Sequence, residues 1–251
     1  MRLKIKHILV SITLTFLLLS CRKFDQAGSL PEPGIALTFD DDYIDNWYKY
    51  LPLLDSLNVK ATFYISNYHK FSPLQVQKLK TIEAHGNEIG YHTTNHIDIP
   101  KYIDRYGLDQ LVKNEINPDL VQMRIDGFNP QVFAYPYGAH NLESDNLLLD
   151  IFKSIRYLNG SPNFAKSLTS SNKELRLYGM ELDLSSKRKD WMYDELINSA
   201  RENGNCFILV GHRIENGNTN LKVPLYRLLH VINKVKEMNM RFYTVSDISR
   251  K

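Results

Sequence analysis

From Gly34 to the C-terminus, short apolar runs of strand length alternate with longer stretches that carry helix punctuation. Strands separated by helices are joined by crossovers and lie parallel, so this alternation argues for repeated βαβ units. The runs "GIALTF", "ATFYI", "NEIGYH", "QVFAYP", "ELRLYGM", "CFILVG" and "RFYTV" read as strands. Between them, "DNWYKYLPLLDSL" reads as a helix that Pro52 should disturb. "SPLQVQKLKTIEAHG" has Ser72 as N-cap, Pro73 in the first turn and Gly86 after the end. A weaker helical segment covers 108–123 and breaks near Pro118, and "ESDNLLLDIFKSI" reads as one continuous helix. "DWMYDELINSAREN" reads as capped by Asp190 and ended by Gly204, and "LYRLLHVINKVKEM" as the last helix. At least six such units suit a β/α barrel or an open doubly wound sheet. No Gly-rich loop follows the first strand, so a dinucleotide-binding fold lacks its fingerprint.

The N-terminus stands apart from this pattern. "MRLKIKH" is basic and "ILVSITLTFLLLS" is apolar but short for a membrane span, which is the form of a secretory leader. The small Ser20 before Cys21 resembles a bacterial lipobox, so residues 1–20 are expected to be removed and Cys21 to be lipidated. The polar, proline-ended stretch 22–33 then serves as a linker, and 34–251 form one domain. The expected location is outside the cytoplasm, anchored to a membrane. Loss of Arg2, Lys4 and Lys6 with the leader lowers Lys+Arg from 31 to 28, equal to the 28 Asp+Glu. A neutral mature chain with no basic patch argues against a nucleic-acid partner. Cys206, in "NCFILV", is the second of two cysteines and reads as a buried thiol.

In both candidate architectures, chemistry gathers at the carboxyl ends of the strands. Asp40, Asp41 and Asp42 follow the first strand, His92 and His96 the third, Tyr137 and Gly138 the fourth, and His212 follows "CFILVG". Three adjacent carboxylates repel one another, and a divalent cation converts that repulsion into attraction. His92, His96 and Asp41 would supply two nitrogens and one oxygen, leaving coordination positions open as catalytic metal sites do. Zinc fits this set best; cobalt, nickel and manganese also accept it. Neighbours in an extended chain point to opposite sides, so Asp40 and Asp41 cannot share one role. His-x-x-x-His alone is common on surface helices, and "DDD" alone is commonly a solvated turn. Their occurrence together at successive strand ends is what carries weight.

"LTFDDD", "HTTNH", "YPYG" and "LVGH", in this order, resemble the polysaccharide deacetylase family, across essentially all of 34–251. The resemblance implies a distorted (β/α) barrel, usually of seven strands, in a metal-dependent hydrolase that removes N-acetyl groups from a glycan. It implies Asp40 as catalytic base, Asp41, His92 and His96 as metal ligands, and Thr93 as a brace for the histidine loop. It also implies a Tyr137 N–H for the oxyanion and His212 as general acid, which should titrate near neutrality. His140, close behind "YPYG", is a further candidate for substrate contact. An O-acetyl esterase of the same fold, or a metal-containing lipoprotein that only binds glycan, are the alternatives.

Three departures from the family pattern stand out. Asp42 occupies a position that is usually Gly. Ala134 occupies the place of an Arg that usually pairs with the catalytic aspartate, so Asp40 loses a charge partner. No residue is clearly assigned to support His212, with Asp183 and Asp190 equal candidates.

Overall fold

The computed structural model describes residues 32–158, 168–169, 175–217 and 220–249. The leader, Cys21 and most of the linker lie outside them. Seven parallel strands form the frame: β1 (Gly34–Asp41), β2 (Ala61–Ile65), β3 (Glu88–Tyr91), β4 (Val132–Ala134), β5 (Ser154–Leu158), β6 (Arg176–Glu181) and β7 (Cys206–Gly211). Each pairs with the next, and β7 pairs back onto β1 from Gly34↔Cys206 to Phe39↔Gly211. The sheet therefore closes into a seven-stranded β/α barrel. Closure leaves the frame no open edge.

Strands buried on both faces need two cores. Inside the barrel, Ala36, Tyr64, Val132, Ala134, Leu177, Ile208 and Val210 pack together. Outside it, the opposite parity packs against the helices: Leu37, Phe39, Phe63, Ile65, Phe133 and Leu209 meet residues such as Trp47, Leu79, Leu148 and Leu196. Trp47 sits on α1 (Ile44–Ser56), its ring 5.1 Å from Phe63, which stacks on Phe39. Pro52 lies inside α1 without ending it.

Helix α2 (Pro73–Ala84) begins as its sequence indicates, with Ser72 and Gln75 forming a reciprocal capping box. The region read as one broken helix resolves into α3 (Ile99–Tyr106), α4 (Leu108–Leu111), a π-helical turn (Val112–Ile116) and α5 (Asn117–Ile125). Pro118 stands in the first turn of α5, where its missing N–H is tolerated. The largest change concerns "ESDNLLLDIFKSI". Helix α6 (Leu142–Ile151) stops there, and "SIRYL" becomes the fifth barrel strand. Helix α7 (Asp190–Asn203) has Lys189, not Asp190, at its N-cap and Gly204 in a left-handed conformation at its end. Helix α8 (Leu225–Glu237) follows β7. "RFYTV" yields only Arg241–Phe242 as strand, paired with Gly34 and Ile35 at the bottom of β1, because β2 occupies that flank of β1 from Leu37 upward.

Candidate active site

The site lies at the carboxyl ends of the barrel strands. Strand β1 runs through Asp40 to Asp41, and the alternation of the strand separates the two carboxylates. Asp40 continues the interior parity of Ala36 and Thr38, and is buried. Asp41 breaks from it with a φ of 87°, a left-handed value that a non-glycine residue adopts only under constraint. Its Oδ1 lies 3.1 Å from His96 Nε2 and 3.7 Å from His92 Nε2. Asp42 turns away, accepting from Asn67 Nδ2 at 3.3 Å. Burial, then the neighbouring Asp41 charge, push the Asp42 carboxyl above its ordinary range.

The histidine loop is tightly constrained. Thr93 and His96 both have positive φ, at 67° and 53°. Such backbone persists only where the surroundings enforce it. The enforcing group is Glu115 in the π-helical turn, which sequence reading did not single out. Its Oε2 accepts from the Asn95 N–H and its Oε1 from Asn95 Nδ2, each at 3.0 Å, while its carbonyl accepts from Thr94 N–H. Thr93, expected to brace this loop, makes no side-chain hydrogen bond among the described residues. His92 Nδ1 lies 2.7 Å from the Ala134 carbonyl. A carbonyl only accepts, so Nδ1 carries the proton and Nε2 keeps its lone pair. Burial pushes the His92 imidazole down to about 4, so it is neutral at physiological pH.

The donor atoms of Asp41, His92 and His96 all lie within 4.8 Å of one another. Asp41 Oδ1 is buried and makes no hydrogen bond among the described residues, an orphaned acceptor between two imidazoles. Burial opposes ionisation of Asp41, but the adjoining His96 and the charges of His92 and His212 outweigh it and hold the carboxyl down at about 2. Two imidazole lone pairs and an ionised carboxylate oxygen suit a divalent ion, as the resemblance implies.

His212 faces them, with Nε2 3.9 Å from Asp41 Oδ2. Asp183, just beyond β6, is its partner. Oδ2 lies 2.6 Å from His212 Nδ1, and Oδ1 accepts from the His212 backbone N–H at 3.3 Å. Burial disfavours the imidazolium, yet this carboxylate outweighs it and raises the group to about 9, above the neutral range expected from sequence. Asp190 does not cap its helix. It accepts from Arg227 Nε at 2.7 Å, and Arg227 Nη1 donates to the carbonyls of Leu182 and Asp183. Trp47 Nε1 donates to the His212 carbonyl at 2.8 Å, adding a second task to its packing.

Asp40 is not left without a charge partner. The guanidinium of Arg156, fully buried on β5, donates through Nη2 to Asp40 Oδ2. Arg156 has no mark in the sequence, because the helix read over "ESDNLLLDIFKSI" takes in Ser154 and Ile155, the first residues of its strand. Tyr137 has a φ of 60° and is 65% exposed, with its ring edge-on to His96 at 4.7 Å. A groove runs outward from there, lined by His96, Lys101, Tyr102, Arg105, Tyr106 and Tyr137. His140 does not reach the donor cluster. It stacks on Tyr157 at 3.7 Å and lies 3.3 Å from Asp145.

Residues 27–151 match the family model for polysaccharide deacetylase. The chain belongs to the polysaccharide deacetylase family. Curated relatives include a peptidoglycan-N-acetylglucosamine deacetylase of Bacillus cereus, 32% identical over 115 residues, which are 45% of this chain and 39% of that protein. A putative polysaccharide deacetylase of Bacillus subtilis is 29% identical over 118 residues, 45% of this chain and 40% of its own. The matched part is thus well under half of either protein. Solved structures share the fold. The chitin deacetylase of Colletotrichum lindemuthianum superposes with a TM-score of 0.61 at 18% identity, covering 90% of this chain and 91% of its own. The Xyl-CE4 domain of a xylanase from the hindgut metagenome of Trinervitermes trinervoides gives 0.58 at 20% identity, with coverages of 86% and 89%.

Proposed function

We propose that this chain is a metal-dependent hydrolase that removes N-acetyl groups from a polysaccharide and releases acetate. The observation that carries the reading is the convergence of the Asp41, His92 and His96 donor atoms, flanked by Asp40 on one side and by an imidazole held by Asp183 on the other. A dication held by those three residues, zinc foremost, would polarise the acetyl carbonyl and acidify a water.

The protein groups then have distinct work. Asp40 accepts the proton of the attacking water; its Oδ1 is buried and makes no hydrogen bond among the described residues, while Arg156 occupies Oδ2. The backbone N–H of Tyr137 donates to the developing oxyanion. His212 carries a proton on Nε2 and delivers it to the departing amine. A group raised to about 9 is protonated at neutral pH, as an acid for an amine leaving group must be. An ester leaves without such help, so this favours the amide over the O-acetyl alternative. The exposed tyrosines of the groove offer flat apolar faces for sugar rings, which supports a polymeric glycan. The basic and apolar leader ending at Cys21 supports a lipid-anchored protein outside the cytoplasm.

The test is acetate release from N-acetylglucosamine oligomers and from an O-acetylated xylan, after chelation and after restoring zinc, cobalt or nickel. Metal-dependent release from the amide is expected. Release from the ester alone would replace the reading with the esterase. Tight metal binding with no release from either would favour a binding protein.

A further inference from the structure

A guanidinium wholly inside a barrel is unfavourable unless something there needs it. Arg156 has no exposed surface, and its Nε and Nη1 make no hydrogen bond among the described residues. Its one partnered nitrogen, Nη2, meets Asp40. A buried ion pair of this kind is a weak source of stability, so a role in stability does not account for it.

The interior around Arg156 is arranged to admit it. In the parallel ladder between β4 and β5, Arg156 stands in register with Ala134. Register partners in a parallel sheet project to the same face at the same height. Position 134 is where the family pattern usually places the arginine that pairs with its catalytic aspartate. Here that position holds only a methyl group, and the arginine comes from the neighbouring strand at the same level. Two glycines complete the space. A Cβ at Gly179 on β6 would lie 3.1 Å from Arg156 Cδ and 2.4 Å from Val210. A Cβ at Gly90 on β3 would lie 2.5 Å from the ring of Tyr64, and the Arg156 guanidinium sits 5.2 Å from that ring's centre. Tyr64 and Arg156 thus fill the interior beside Asp40, and Ala134, Gly90 and Gly179 are small where those two are large.

We propose that Arg156 is the positioning residue of Asp40, and that the arginine has moved one strand, from position 134 to position 156, with Ala134 making the room. The inference rests on Asp40 being the base. By holding Oδ2, Arg156 fixes the carboxylate and turns Oδ1 toward the incoming water. A residue retained only for packing would be replaceable by an apolar side chain of similar length.

The experiment uses the variants Arg156→Met, Arg156→Ala, Ala134→Arg and the double variant Ala134→Arg/Arg156→Ala. Arg156→Met is expected to lower kcat roughly 10- to 100-fold, with KM and zinc affinity unchanged. Ala134→Arg alone overpacks the interior and should lower the urea midpoint. The double variant should recover kcat over Arg156→Ala, because a guanidinium again reaches Asp40. A urea double-mutant cycle between Asp40→Asn and Arg156→Met reads the pairing without any turnover, and the combined loss should be smaller than the two single losses added. Wild-type kcat in Arg156→Met, or additive urea effects, would overturn the proposal. If the unaltered protein releases no acetate from any glycan, the functional reading fails, and the urea cycle still decides whether Arg156 holds Asp40.

Discussion

Replacing Asp183 with Asn probes the charge that raises His212. The substitution keeps the shape of the side chain and removes its charge. In the native protein His212 is raised from 6.5 to about 9, which corresponds to on the order of 3 kcal/mol in favour of the imidazolium. Burial works in the opposite direction, so without the Asp183 carboxylate the imidazole should fall well below its native value, with only the charges of Asp40 and Asp41 still raising it. The neutral Asn can also present its amide nitrogen to Nδ1, which would keep that nitrogen unprotonated and disfavour the imidazolium. The assay is the pH dependence of kcat for acetate release. The native enzyme should keep its protonated acid until its alkaline limb near pH 9, and Asp183→Asn should lose activity from neutrality upward. A stability measurement carries the same sign. A group whose folded pKa is raised contributes stability fully below its unfolded value of 6.5, and loses it as the pH climbs through about 9. Urea midpoints of the native protein should therefore fall between pH 6 and pH 9.5, and those of the variant should fall less. An unchanged alkaline limb in Asp183→Asn would refute the assignment of Asp183 as the charge partner.

Glu115→Gln keeps one acceptor for Asn95 and places an amide where two carboxylate oxygens now accept, so the histidine loop should loosen. Zinc affinity is expected to fall about 10-fold or more by titration, with the helical circular dichroism unchanged. Cys21→Ser should move the full-length protein from the membrane fraction to the soluble fraction in a bacterial host, since a lipid chain needs the thiol; retention in the membrane would end the lipoprotein reading.

The residues that could hold a metal were legible because each follows a strand that the sequence marks by itself. Asp41 closes "GIALTFDD", and His92 and His96 come directly after "NEIGY". A donor at a strand end needs no knowledge of which strand lies beside it, because all parallel strands in such a fold end at one mouth. Alternation along β1 likewise set Asp40 apart from Asp41 before any contact was known. The α/β class, the capping of α2 and the end of α7 at Gly204 were local signals of the same kind.

The partners that tune those residues were not legible in this way. Arg156 reaches Asp40 across 116 positions of sequence, and Asp183 reaches His212 across 29. Glu115 reaches Asn95 from a π-helical turn with no clear mark in composition. Strand β5 was concealed because "FKSIRYL" follows a helix without a glycine or proline between them. Sequence alone determined which side chains stand at the mouth of the barrel, since that depends on periodicity and punctuation within single elements. Only the tertiary structure decided which charges face them, because strand register and closure of β7 onto β1 bring distant segments to one height, and a buried charge is fixed by whatever partner that height supplies.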